Sequence, residues 1–346
     1  MLADLAAAVL VLALSAYAVL GGADFGAGFW DLTAGGAKRG ARLRGQIKVS
    51  MGPVWEANHV WLIVVLVVMW TCFPKAFGPL METVYVPLFL AAVGIILRGT
   101  AFALRGEAAT ISEARALGAM FALSSVLTPF FFGCAIGAVA SGQVPAGGDP
   151  GDPIGAWTNA TSLMIGCLAV ATSAYLAAVF LAADSERAEM SDLVAAFRAR
   201  ALGAALVTGA LAIGGLAVVN SDAPALYGGL TSGAGLVMVL ASAVVGVITI
   251  GLVWTGRFEL ARYTSALAVG TVIVGWVLGQ RPDFLPGALS FEDAAAGDST
   301  LIATLIALVL ALAIIVPSLF WLFRLTLAGR LGDKFKPIGT DPKGER

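Results

Sequence analysis

Long runs of apolar residues, separated by short polar connections, dominate the chain. A helix needs about 20 apolar residues to cross the hydrocarbon core of a membrane, and nine runs are close to that length or longer. The runs are continuous and do not alternate, which favours helices over a membrane barrel. The predicted spans are residues 5–32, 51–73, 83–104, 117–140, 156–183, 201–220, 233–255, 259–280 and 299–323.

Two connections carry strong turn chemistry and suggest how the spans are grouped. Residues 145–153 are rich in Pro, Gly and Asp, and residues 281–298 form a longer acidic loop. We therefore predict a first four-helix unit with the polar residues over 1–145, a second over 146–282, and a ninth helix with a cytoplasmic tail over 283–346. The match between Gly142-Gln-Val-Pro145 and Gly279-Gln-Arg-Pro282 favours a parallel internal repeat, although Gly, Gln and Pro are also ordinary helix-ending residues.

Composition places the chain in the membrane and argues against a nucleic-acid partner. It is 59% hydrophobic and 12% charged, whereas soluble domains are about 25% charged. The net charge of −1 and the lack of a basic stripe argue against DNA or RNA binding. Cys72, Cys134 and Cys167 lie singly in apolar runs, which predicts buried thiols and no disulfide framework. The first run lacks a charged leader region and is interpreted as a span, not a removed signal peptide.

The positions of Lys and Arg predict the orientation of the chain. Eighteen of the 21 basic residues lie on alternate connections and the C-terminal tail, and only Lys75 and Arg281 lie on the other side. Basic residues collect on the cytoplasmic side of membrane proteins. We therefore expect the N-terminus outside and the C-terminus in the cytoplasm. The tail contributes six of these residues: Arg324, Arg330, Lys334, Lys336, Lys343 and Arg346.

Four ionisable residues of the first three spans are predicted at one depth, near the cytoplasmic side. They are Asp24, Glu56, His59, which is the sole histidine, and Arg98. A charge at membrane depth costs at least about 2.5–3.5 kcal/mol, so Arg98 should have a partner. Together the four would form a buried acid–base cluster suited to carrying protons inward. The alternatives are snorkelling to the interface and, for Glu56, a favourable position in the first turn of a helix.

The surroundings of these residues indicate close packing and offer little metal chemistry. Gly21, Gly22, Gly26 and Gly28 surround Asp24, and small residues let helix backbones approach in lipid. Glu56-x-x-His59 is half of a di-iron carboxylate signature, but the second half requires another histidine. A haem held by His59 and a methionine remains conceivable. We expect no metal and no redox cofactor on this chain alone.

Several stretches resemble subunit II of the cytochrome bd-type quinol oxidases. "YAVLGGADFGAGFWDL" (17–32) looks like the first-helix motif D-G-F-D-x-G-x-G-M of that family. "GPVWEANHVWLI" (52–63) looks like its second-helix motif W-D-G-N-x-x-W-L. "LRGTAFALR" (97–105) is similar to its F-R-x-x-x-F-x-x-R segment, and "LTPFFFGCAIGAVASG" (127–142) fits its fourth helix. The likeness is concentrated in residues 10–145.

The resemblance carries over to individual residues, with departures. Asp24 matches the second Asp of the first motif, and Glu56 matches the Asp of the second. Gly21 stands where the family has its first Asp, which puts a proton route through that carboxylate in doubt. His59 stands at a position that is uncharged and polar in many members. The remaining matched positions are Trp55, Asn58, Trp61, Arg98 and Arg105.

The resemblance implies an all-α membrane fold of nine helices, with two four-helix bundles and one peripheral helix. It also implies a partner, subunit I, that carries haems b and d and the quinol site, in a complex of the bacterial cytoplasmic membrane that reduces O2 to water. This chain would hold no haem, would stabilise subunit I and would contribute a cytoplasmic proton pathway. A bound quinone or lipid and a small single-helix accessory subunit are compatible with it.

Three other functions remain open from the sequence. The departures at Gly21 and Glu56 allow a divergent oxidase whose electron donor is not quinol. A small-solute transporter would also use polar residues in Gly-rich helices, although its site is expected near the midplane. A purely structural subunit, with Asp24 and Arg98 as a neutralised pair, is the third. Replacing Glu56 by Gln and His59 by Ala should lower oxygen consumption while haem content holds, unless the role is structural.

Overall fold

A computed structural model describes residues 1–36, 39–52, 54–105, 107–108, 110–147 and 150–328. Several residues of the stretches discussed above therefore lie outside the described residues. They are Lys38 among the basic residues, Pro53 of the second-helix motif, Asp149 of the 145–153 connection, and the tail residues Arg330, Lys334, Lys336, Lys343 and Arg346.

Helices account for nearly all of the described structure. In chain order they are α1 (Leu2–Leu32), α2 (Ala41–Met51), α3 (Trp55–Asn58), α4 (Val60–Cys72), α5 (Pro74–Thr83), α6 (Tyr85–Leu104), α7 (Ile111–Ala140), α8 (Gly155–Thr158), α9 (Ala160–Arg187), α10 (Ser191–Asp222), α11 (Pro224–Leu230), α12 (Gly233–Trp254), α13 (Phe258–Gln280), α14 (Phe291–Ala294) and α15 (Asp298–Leu327).

Nine helical segments within the described residues are long and apolar enough to cross a membrane, which confirms the predicted number. The second segment is α3 followed directly by α4, with His59 between them. The largest difference from prediction is α10, which begins at Ser191 and not near residue 201. Its first turns mix apolar residues with the charged Asp192, Arg198 and Arg200, so the uninterrupted apolar run marks where the span begins and not where the helix begins.

Helix α9 lies against α1, α7, α10 and α13, so it joins the two predicted four-helix units. A Cβ at Gly26 of α1 would lie 1.8 Å from the backbone oxygen of Ser173 in α9. A Cβ at Gly28 would lie 2.2 Å from Cβ of Ser125 in α7. Glycine at these positions therefore allows α1 to contact both neighbours closely, as predicted from its small residues.

Ion pairs at the ends of the helices support the predicted segregation of charge. At one end they link α1, α2, α6, α9, α10 and α13, and at the other Arg281 pairs with Asp4. Which end faces the cytoplasm stays a prediction, as do the domain boundaries. The pairs at the first end are Arg42–Asp192, Arg44–Asp31, Arg105–Asp31, Arg187–Asp184, Arg187–Glu259 and Arg262–Asp184.

The 281–298 connection, predicted as a loop, contains a small antiparallel hairpin. Its strands are β1 (Asp283–Leu285) and β2 (Leu289–Ser290). Gly287 adopts φ +69° in the turn, and its N–H donates to the Asp283 carboxylate at 2.8 Å. The ring of Phe284 lies 5.0 Å from that of Phe73, so the hairpin covers the end of α4. Strands of two or three residues are too short to show an alternating pattern in sequence.

Gly142 has φ +71° after α7, whereas Gly279 lies inside α13, so the two Gly-Gln-x-Pro stretches differ locally and the internal repeat stays a prediction. The expectation for one cysteine is corrected. Cys72 and Cys134 are buried, but Cys167 is exposed. It lines an apolar groove between α1, α7, α9 and α10, and an apolar run does not reveal which of its faces is turned to lipid.

Candidate functional site: a buried polar cluster

The centre of the cluster is Asp24, which lies in α1 and is only 1% exposed. Asn58, at the end of α3, donates from its side-chain nitrogen to Asp24 Oδ2 at 2.7 Å. The same nitrogen lies 3.5 Å from the backbone oxygen of Leu20, one turn earlier in α1. The short helix α3 therefore places an amide donor against a carboxylate that is almost completely enclosed by the chain.

Arg98 reaches the same place from α6 and is 2% exposed. Its Nη2 donates to the backbone oxygen of Asp24 at 2.9 Å, and its Nε donates to Ser125 Oγ at 3.1 Å. Its guanidinium carbon lies 5.2 Å from the ring centroids of both Phe25 and Phe121. Cation–π contacts of this kind favour a positive charge in an apolar site.

The predicted contact between Arg98 and Asp24 is present, but its chemistry differs from a neutralised pair. The guanidinium bonds the main chain of Asp24, while the carboxylate faces Asn58. A carbonyl oxygen has two lone pairs, so it can accept from Arg98 in addition to its bond within the helix. The carboxylate is consequently near a positive charge without being locked into an ion pair by it.

His59 lies beside this pair, surrounded by aromatic rings. Its ring centroid is 5.9 Å from those of Tyr17 and Phe25 and 6.2 Å from that of Trp55. Both ring nitrogens are enclosed within the chain and have no hydrogen-bond partner in it. An axial haem ligand needs an open nitrogen facing the iron, so these surroundings do not fit a haem held by His59.

Glu56 is the predicted member that the structure does not place in the cluster. Its side chain is exposed, whereas that of Asn58, two residues later in the same helix, is buried. Residues two apart on a helix do not face each other. The sequence places Glu56 close to Asn58 and His59 along the chain but could not show the side of the helix on which it lies.

The two tryptophans that match the second-helix motif lie in different surroundings. Trp55 packs on Phe102, with ring centroids 5.6 Å apart, and would lie 3.2 Å from a Cβ at Gly99. Trp61 is partly buried against the apolar core around α4, and its indole N–H is enclosed without a partner. Trp55 therefore packs α3 against α6 beside the cluster.

A second buried carboxylate, Asp31, lies in the last turn of α1 and is not among the predicted site residues. It is 4% exposed and accepts from Arg105 at 2.6 Å and from Arg44 at 3.0 Å. Arg44 also donates to the backbone oxygen of Gly35, just after α1 ends. Asp31 thus links the end of α1 to α2 and α6. It is the ion-pair partner of Arg105, one of the residues that match the third-helix segment. Asp31 follows Asp24 by seven residues, or two helical turns, and this spacing could have indicated that both carboxylates lie on the same face of α1.

The described residues contain no group of three His, Cys, Asp or Glu side chains able to hold a metal ion. What the fold presents is a multi-pass helical membrane protein with a carboxylate, an amide and a guanidinium enclosed between its first helices. Such a set can hold, accept or release a proton away from bulk water.

Comparisons with known proteins agree with this class. The sequence model of the family described as "Cytochrome bd terminal oxidase subunit II" matches residues 2–326. The chain therefore belongs to the cytochrome bd terminal oxidase subunit II family, and it is a multi-pass protein of the bacterial plasma membrane.

Two relatives show how far the similarity extends. The cytochrome bd ubiquinol oxidase subunit 2 of Bacillus subtilis (strain 168) is 26% identical over 84 residues, which is 24% of this chain and 25% of the relative. The match thus spans about a quarter of that protein. A chain in the structure of bd oxidase from Geobacillus thermodenitrificans has a TM-score of 0.73 and 23% identity, covering 94% of this chain and 99% of that chain. This second likeness shows the fold.

Proposed function

We propose that the chain is the haem-free second subunit of a cytochrome bd-type terminal oxidase, which moves electrons from quinol to O2 and releases water. In this proposal a separate subunit I holds haems b and d and the quinol site, and this chain packs against it and stabilises it. The family match and the fold support the proposal. The aromatic enclosure of His59 also supports haems that are held elsewhere.

The second part of the proposal is a proton pathway that passes through Asp24. Reduction of O2 to water consumes protons, and a closed membrane complex must bring them to the haems from the cytoplasmic side. The observation that carries this part is the buried Asp24 carboxylate, hydrogen-bonded to Asn58 and not ion-paired with Arg98. A carboxylate that is not locked into an ion pair can bind and release a proton.

Arg98 has a positioning role in this scheme. It anchors the main chain of α1 at Asp24 and links it to α7 through Ser125. Its positive charge lies close to the carboxylate and stabilises the ionised Asp24 that remains after a proton has moved on. Glu56 lies outside this set, because its side chain is on the exposed side of α3.

Copurification tests the first part. A tagged chain expressed with its natural partner should copurify with a haem-containing membrane protein, and the complex should consume O2 when given quinol. A second donor, such as reduced cytochrome c, separates a quinol oxidase from a divergent oxidase. Isolation of a chain that never associates with a haem protein would contradict the proposal.

Substitution at Asp24 tests the second part. Asp24→Asn keeps the shape and can keep a hydrogen bond to Asn58, but it removes the titratable group. We expect O2 consumption to fall at least about tenfold with an unchanged haem spectrum, since a positioned proton donor or acceptor contributes about 10²-fold or more. Asp192→Asn is the matched control, because Asp192 is an exposed partner of Arg42 at one end of the bundle. Equal rates in the two variants would contradict the pathway.

A further inference from the structure

The side chain of Tyr17 fills the space beside Gly21, which follows it by one turn of α1. A Cβ at Gly21 would lie 2.8 Å from Cε2 of the Tyr17 ring, closer than side-chain atoms approach in proteins. Tyr17 is 7% exposed, and its ring also lies against those of Phe25, His59 and Phe132. The aromatic ring thus occupies the volume that a side chain at position 21 would need, and it brings a hydroxyl group into the interior.

Three neighbouring side chains end in polar atoms that the chain encloses and does not satisfy. They are the Tyr17 hydroxyl, both ring nitrogens of His59 and the amide oxygen of Asn58. Leaving a buried polar group without a hydrogen-bond partner destabilises the folded chain, so several such groups on neighbouring side chains require an explanation. Because these atoms are already covered by the chain itself, neither lipid nor the surface of a partner subunit can reach them.

Water is the ligand that fits such a place. Buried water in proteins typically makes about three hydrogen bonds to groups that would otherwise lack a partner. The Tyr17 and His59 rings are 5.9 Å apart, His59 follows Asn58 in the chain, and Asn58 donates to Asp24. The unsatisfied atoms therefore belong to three side chains that lie together beside the Asp24–Asn58 hydrogen bond.

We propose that Tyr17, His59 and Asn58 line an internal water-binding site, through which protons pass to or from Asp24. This inference rests on the proposed proton pathway and adds Tyr17 and His59 to it. The Tyr17 hydroxyl would donate its proton to one water while it accepts a proton from another. Neutral His59 would accept a proton on one nitrogen and release one from the other. Each group returns to its neutral form, and no electron moves.

The proposal assigns a reason to the pairing of Gly21 with Tyr17. A carboxylate at position 21 and the ring of Tyr17 cannot occupy the same space. The chain has the ring, and the phenol hydroxyl supplies the polar group that position 21 lacks. Two combinations are thus possible at positions 17 and 21. One is tyrosine at 17 with a small residue at 21, as in this chain, and the other is a smaller residue at 17 with a carboxylate at 21.

Tyr17→Phe in the assembled complex tests this directly, because it removes the hydroxyl and keeps the ring. We expect O2 consumption to fall roughly tenfold, less than the loss of a general acid in contact with substrate, and the solvent isotope effect to increase, with an unchanged haem spectrum. Tyr175→Phe is the matched control, since Tyr175 in α9 is buried to the same extent but belongs to an apolar core cluster that does not include Tyr17, His59 or Asn58. Tyr17→Ala combined with Gly21→Asp should recover a large part of the activity that Tyr17→Ala loses.

The outcomes separate this inference from the proposed function. If Asp24→Asn stops turnover and Tyr17→Phe behaves like Tyr175→Phe, the relay is wrong and the pathway through Asp24 stands. If neither substitution has an effect, the proposed pathway fails as well. Should Tyr17→Phe fail to assemble, a high-resolution map of the unaltered complex decides. Waters bonded to the Tyr17 hydroxyl and His59 would support the site, and a dry interior there would overturn it.

Discussion

Gly26 offers the sharpest test of how α1 is held in the fold. An added Cβ would lie 1.8 Å from the Ser173 backbone oxygen, whereas ordinary contact begins at 3.4 Å, so α1 and α9 would have to separate by about 1.6 Å. The obstacle is backbone, which cannot rotate away as a side chain can. Overpacking of this kind costs about 1–3 kcal/mol, and we expect Gly26→Ala to lie near the upper limit.

The assay is thermal unfolding of the purified complex, followed by circular dichroism or by loss of the haem spectrum. Gly209→Ala is the matched control, because Gly209 lies in α10 with no atom within 4 Å of an added Cβ. Alanine there should be neutral or stabilising by about 0.5–1 kcal/mol through helix propensity. We expect Gly26→Ala to melt at a clearly lower temperature than the control. Equal melting temperatures would refute the close contact between α1 and α9.

Two further predictions concern the ends of the helices. Asp31→Asn should destabilise the complex by about 2 kcal/mol, below the 3–5 kcal/mol of a fully buried pair because Arg44 and Arg105 are about a quarter exposed. An unchanged melting temperature would contradict the role of this ion pair. The pKa of Asp152 is lowered because two backbone N–H groups, led by that of Gly155, donate to its carboxylate. This stabilisation exists above the ordinary pKa and is lost as pH falls through the lowered one. Asp152→Ala should therefore speed hydrogen exchange at Gly155 near neutral pH, and the difference should vanish in acid.

The sequence predicted the spans well because lipid imposes a simple rule. Each crossing requires a continuous apolar run, so nine runs gave nine helical segments among the described residues. The contact of Arg98 with Asp24 followed from the cost of a lone charge at that depth. The sequence could not show that the guanidinium would bond the main chain of Asp24 and leave its carboxylate to Asn58.

The errors have a common physical origin, since depth along a helix says nothing about the direction of a side chain around it. Glu56 was predicted in the cluster and lies on the exposed side, and Cys167 was predicted buried and is exposed. Asp31 was passed over because Arg105 is 74 residues away in the chain. The position of Tyr17 against Gly21 likewise depends on the rotamer of one ring, which no sequence pattern specifies.

The most direct test of the central claim is proton uptake by the complex in sealed vesicles, measured after an O2 pulse to the fully reduced enzyme. Asp24→Asn should slow proton uptake and the oxidation of the haems together, by at least about tenfold, while Asp192→Asn matches the unaltered complex. Proton uptake at the normal rate in Asp24→Asn, with intact haems, would show that protons reach O2 without passing through the buried polar cluster of this chain.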